Sequence, residues 1–97
     1  MGKLDCRRED VVKLEDLPNV GTAIAEDLRQ LGIREPGELQ GRDPYQLYET
    51  LCDLTRQRHD PCLLDVFIAA VRFMDGEPPR RWWKYTAERK QALAAAR

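Results

Sequence analysis

The sequence predicts an all-α fold, a compact bundle of five or six short helices. Three observations carry that expectation. Strand signals are nearly absent: there is no sustained two-residue alternation, few β-branched clusters, and no Asn-Gly or Asp-Gly turn set between alternating runs. Helix starts and stops are densely marked by aspartate, proline and glycine. Apolar residues recur at three- and four-residue spacing, the period of one helix face.

Taken in order, Val11, Leu14 and Leu17 predict a short first helix that Pro18 closes. Val20, Ile24, Leu28 and Leu31 form the apolar stripe of a second helix, and Gly32 supplies its C-terminal stop. Pro36 to Leu39 fits one further turn before Gly41. Asp43-Pro44 reads as an N-cap followed by proline at the first helical position. It launches Tyr45 to Thr55 with Leu47, Leu51 and Leu54 on one side. The same device at Asp60-Pro61 launches Cys62 to Met74. That helix is apolar almost all round, interrupted only by Asp65 and Arg72, and is expected to be the central, most buried one. Asp75-Gly76 ends it, Glu77-Pro78-Pro79 is a stiff connection, and Thr86 is expected to cap a final helix through Ala92 and Ala96.

Length and composition bound the rest. Ninety-seven residues support a single domain over 1–97, with a core at about 10–76 and a basic C-terminal segment and helix at 77–97. At 42% hydrophobic and 34% charged the chain is globular in character. No apolar run approaches the ~20 residues of a membrane span, so no membrane partner is expected. The start, Met1 to Asp10, has no apolar signal core, which points to a cytoplasmic protein. Cys6, Cys52 and Cys62 are odd in number and lack a framework spacing, so reduced thiols are expected.

The net charge of −1 argues against indiscriminate nucleic-acid binding, yet the charge is unevenly spread. Residues 77–97 hold six Lys/Arg against two Asp/Glu, whereas residues 1–76 hold ten against fifteen. An acidic body carries a basic tail, which also suits a solvated terminal helix. Within the tail, Arg80, Arg81, Trp82, Trp83, Lys84 and Tyr85 interleave cations with aromatics. That pattern suits stacking on unpaired bases beside phosphates. It also suits a lid in which Trp82 or Trp83 fills a core groove while Arg80, Arg81 and Lys84 stay in water, the reading favoured in so small a domain.

The segment Leu17-Pro18-Asn19-Val20-Gly21 has to join two helices with very few residues. Such a connection needs a backbone position at positive φ, which Gly21 is expected to supply, with Asn19 among the few other residues that tolerate it. Val20 between them is expected to plug into the core. The next helix then starts with unpaired N–H groups near Thr22 and Ala23 and the positive end of its dipole, a phosphate site in waiting. Residues Asn19, Val20, Gly21, Thr22 and Ala23 are therefore the candidate phosphate-binding set.

Elsewhere the chemistry is sparse. Arg56, Arg58 and His59 lie in a glycine-free bend where a second phosphate contact would meet Asp60, an N-cap that occupies the anion position itself. Only His59-x-x-Cys62 has metal-ligand proximity, and Cys62 lies on the first turn of an apolar helix, where a free cysteine simply packs. No phosphate loop, dinucleotide turn or nucleophilic triad is evident, so no enzyme activity, metal or cofactor is expected.

The 17–25 segment resembles the helix-hairpin-helix motif, matching it at Leu17, Pro18, Val20, Gly21 and Ala25. Asn19 stands where that motif has its first glycine and Ala23 where it often has a cation. More broadly, Leu17 to Leu39, Asp43 to Cys52, His59 to Met74, Trp82-Trp83 and Glu88 to Lys90 resemble the small bacterial pathogenicity locus family, mitomycin-resistance-like helix-hairpin-helix proteins. The layout is also similar to the TfoX C-terminal domain. The resemblance implies a SAM-like bundle and a link to DNA. With the backbone donors present and the motif's charge missing, the expected function is weak DNA-backbone binding without sequence specificity. The alternative is a SAM-like protein-interaction module that uses the acidic body or the tryptophan segment on a protein partner.

Overall fold

The computed structural model describes residues 7–95. Among them the chain forms four α-helices, four short 3-10 turns and no strand, with a Cα radius of gyration of 12.5 Å. Helix α1 spans Thr22–Gln30, α2 Pro44–Thr55, α3 Pro61–Met74 and α4 Thr86–Ala95; the 3-10 turns cover Arg8–Asp10, Leu14–Asp16, Pro36–Leu39 and Trp82–Tyr85. No helix among the described residues is long and apolar enough to cross a membrane.

Local chemistry explains most boundaries. Asp43 and Asp60 cap α2 and α3, each carboxylate accepting from the backbone N–H two residues on at 2.9 Å, with proline at the first helical position of both. Helix α1 ends in a full Schellman motif: Gly32 at φ +86 donates to Arg29, and Ile33 donates back to Leu28 at 3.0 Å while both apolar side chains are buried. Gly76 at φ +117 follows the end of α3.

Helix α3 is the axis of the fold. Leu64 to Val71, Phe73 and Met74 are all buried, and α2, α4 and the 36–39 and 82–85 turns pack around it. The loop after α1 is tied to the far end of this axis: Gln40 Nε2 donates to the Met74 carbonyl and Gly41 N–H to Asp75 Oδ1.

Three expectations change. The first helix is replaced by the two turns Arg8–Asp10 and Leu14–Asp16. The Asp16 carboxylate accepts from the N–H groups of Val12 and Lys13, closing a tight turn. Pro18 then pushes Leu17 to extended backbone (φ −68, ψ 145), which leaves no room for an α-helix. On α2, Leu54 is 57% exposed and the inward face is Leu47, Tyr48, Leu51 and Cys52. Thr86 is not an N-cap: it has helical dihedrals, because the 82–85 turn runs straight into α4, and its hydroxyl donates to Asp65 instead.

Candidate nucleic-acid interface

The 17–21 segment is a turn closed by a hydrogen bond from Val20 N–H to the Leu17 carbonyl at 3.2 Å. Proline at the second position and positive φ at the third are the marks of a type II turn. The positive φ therefore falls on Asn19, at +69, and Gly21 is extended at φ −97 and ψ −170. This corrects the expectation for Gly21. The turn's closing bond fixes which residue must be left-handed, and asparagine tolerates the role. A Cβ on Gly21 would meet no atom within 4 Å, so Gly21→Ala should leave the melting temperature nearly unchanged in a thermal scan.

Leu17, Pro18 and Val20 are buried, Val20 plugging the turn into the core as expected. Gly21 is the N-cap of α1 and offers no side-chain acceptor. Thr22 and Ala23 are exposed, and their N–H groups donate to no described residue. The starts of α2 and α3, by contrast, are already filled by a carboxylate. The first turn of α1 also carries no acidic residue, so the positive end of its dipole faces solvent.

The Asn19 side chain has a second role. Its amide Nδ2 donates to the Arg80 carbonyl at 2.7 Å, and its Oδ1 accepts from Trp82 N–H at 3.3 Å. One amide thus brackets Arg81 and joins the 17–21 turn to the cation-aromatic segment. A glycine at position 19 could adopt the dihedral but could not make either bond.

The segment itself divides cleanly. In a 3-10 turn, residues three apart eclipse one another. Trp82 and Tyr85 accordingly face inward, Tyr85 buried in the core and Trp82 partly buried against it. Trp83 and Lys84 face outward, Trp83 with 53% of its surface exposed. The expected lid therefore exists, with Tyr85 as its plug, and one tryptophan is left outside it. Trp82 and Trp83 meet edge to face with ring centroids 5.5 Å apart, and the Arg81 guanidinium carbon lies 6.0 Å from the Trp83 ring centroid. Arg80 is tied to Glu77 at 2.7 Å and donates to the Tyr85 hydroxyl at 3.3 Å. Arg81 and Lys84 pair with no carboxylate among the described residues. Of the three expected cations, two are available.

What holds this segment in place is a contact that sequence reasoning missed. Asp65, fully buried on α3, accepts from the Thr86 hydroxyl at 2.7 Å and from Arg89 Nε and Nη2 at 2.9 and 3.2 Å. Helix α4 has no fully buried residue of its own, and this polar clamp fastens it together with the ion pair between Arg72 and Glu88. A lone carboxylate in an apolar helix was the available signal, because a buried charge demands a partner.

The 55–61 bend offers little. Arg58 pairs with Glu49 at 3.0 Å and lies over the Tyr48 ring. The Tyr48 hydroxyl donates to the His59 carbonyl, and the His59 ring bonds Thr55 at 2.8 Å. Among the described residues no three His, Cys, Asp or Glu side chains converge as metal ligands; Cys6 lies outside them. Burial, followed by the Asp60 carboxylate, pushes the Cys62 thiol above its ordinary range, the wrong direction for a nucleophile.

Fold and site together define a small all-helical domain in which the start of α1, without a side-chain cap, is joined through Asn19 to a basic, aromatic segment. The family model for the pathogenicity locus, Cdd1, matches residues 7–91, and the chain belongs to that family. It is also similar to the mitomycin resistance protein McrB of Streptomyces lavendulae, 47% identical over 81 residues, which cover 84% of this chain and 77% of that protein. No solved structure matches the chain.

Proposed function

We propose that this domain is a non-enzymatic binder of the DNA backbone, weak and without sequence preference, that uses the 17–23 segment as a helix-hairpin-helix in a SAM-like bundle. The Leu14–Asp16 turn stands where that motif has its first helix. The phosphate is received by the N–H groups of Thr22 and Ala23 at the start of α1, with Asn19, Val20 and Gly21 shaping the turn. Contacts of this kind position a protein on nucleic acid without reading bases.

One observation carries the reading: the Asn19 amide brackets Arg81 against the turn whose own cation position is Ala23. Arg81 takes the place of the charge that the hairpin lacks, and Lys84 adds to the field. Weakness follows from the small number of cations, since phosphate neutralisation supplies most non-specific affinity. Resistance to mitomycin, for which the Streptomyces lavendulae relative is named, is the cellular setting we propose for this chain.

Salt-titrated binding to duplex DNA tests the proposal. Ala23→Lys should raise affinity and steepen the slope of log affinity against log salt by about 0.9, one phosphate's share. Arg81→Ala should lower affinity and flatten the slope by a similar amount. Lysine opposes the dipole at a helix start, so Ala23→Lys should slightly destabilise the free protein. The control is a lysine at exposed Gln57, in the bend after α2. Should Gln57→Lys act as strongly as Ala23→Lys, or none of the three variants alter binding, the turn serves only the fold and the protein-interaction reading replaces this one.

A further inference from the structure

We infer that the surface made by Arg81, Trp83 and Lys84 receives an unpaired nucleobase, so that DNA with a single-stranded segment is the preferred ligand. The inference deepens the DNA reading for the same face and rests on it.

The argument begins with Trp83. The 82–85 turn needs only Trp82 and Tyr85 to seal the core, and its geometry sends the intervening pair outward. Trp83 consequently keeps 53% of its surface in water, forfeiting much of the transfer free energy a buried tryptophan would gain. It is nonetheless held in a defined pose, by the edge-to-face contact with Trp82 and by the Arg81 guanidinium 6.0 Å from its centroid. A tryptophan exposed and oriented in this way is a stacking platform set in advance.

Charge then selects the partner. The two carboxylates nearest in sequence are both committed, Glu77 to Arg72 and Arg80 and Glu88 to Arg72. Arg81 lies over the ring, exposed Lys84 follows it in the chain, and neither pairs with a carboxylate among the described residues, so the platform lies in a positive field that favours an anionic chain. Single-stranded nucleic acid presents flat apolar bases and phosphates at alternating positions, and both halves of this surface are matched. Duplex bases are stacked and closed to a side chain of this kind. The Asn19 bonds keep the platform beside the turn, which places an unpaired base next to a gripped phosphate.

The test compares four ligands at one salt concentration: a blunt duplex, the same duplex with a short 3′ or 5′ overhang, the free single strand, and the duplex with an abasic overhang. The wild-type protein should bind the based overhang about 5- to 100-fold more tightly than the blunt duplex, the range expected for one stacked base. Stacking should also quench tryptophan fluorescence. Trp83→Ala should abolish that preference and leave blunt-duplex affinity in place, with a small fall in melting temperature from the lost contact with Trp82, while Trp83→Phe should retain part of the preference. Equal binding of based and abasic overhangs overturns the inference and leaves the duplex reading standing. Overhang binding that is unaltered by Ala23→Lys yet lost with Trp83→Ala, without duplex binding, supports the platform and removes the hairpin. Failure to bind any of the four ligands overturns both, and the exposed tryptophan is then a protein contact.

Discussion

Asp65→Ala should lower the stability of this domain by about 3–5 kcal/mol, measured by urea denaturation. The carboxylate is fully buried and accepts three hydrogen bonds, two from Arg89 and one from Thr86. Removing it strands a guanidinium whose side chain is only 11% exposed, and an uncompensated buried charge is far more costly than the pair is favourable. Small domains hold ~5–15 kcal/mol in total, so the variant should lie near the edge of folding. Replacing both partners by apolar residues, Asp65→Leu with Arg89→Met, should recover much of the loss, because no charge is then left unpaired. Hydrogen exchange should show α4 opening first in the single variant, since that helix has no fully buried residue of its own. A loss below about 1 kcal/mol would show that α4 is fastened by something other than this clamp.

The second large effect is at Asn19, where Asn19→Ala should cost about 3–4 kcal/mol and Asn19→Gly about 1–2 kcal/mol less. Alanine at φ +69 carries roughly 1–2 kcal/mol of left-handed strain. Both variants also lose the two bonds to residues 80 and 82, each about 1 kcal/mol. Glycine avoids the strain, and it restores the residue usual at this position of the hairpin motif. Under the proposed function it should still weaken duplex binding and flatten the salt slope, because the segment bearing Arg81 is no longer held against the turn. Thermal melts separate the strain, which differs between the variants, from the clamp, which both lose. If Asn19→Gly binds duplex as well as the wild type, Arg81 is not the hairpin's cation.

Legibility followed the range of the interactions concerned. The caps at Asp43 and Asp60, the stop at Gly32 and the buried helix α3 were all readable, because each rests on residues within a few positions of one another. The stretch 19–23 proposed to receive a phosphate is also local, but its left-handed residue is Asn19 and not the expected Gly21. That error is instructive: a single closing hydrogen bond, Val20 to Leu17, decides between Asn19 and Gly21, and composition does not reveal it. The inward face of α2 departs from the expected stripe at Leu54 for a related reason. Periodicity gives a stripe, but which part of the stripe is covered depends on where α3 lies.

By itself, then, the sequence determined that this protein is all-helical, where most helices start and stop, and which helix occupies the centre, since capping, proline geometry and apolar periodicity are local properties of the chain. Tertiary structure alone decided what Asn19, Asp65 and Trp83 do. The partners of Asn19 lie 61 and 63 residues away and those of Asp65 lie 21 and 24 residues away. Such pairings exist only after the helices have packed, because it is packing that excludes water and obliges each buried polar group to find its partner. The same packing seats Tyr85 in the core and turns Trp83 and Lys84 outward, giving the domain the surface on which its proposed function rests.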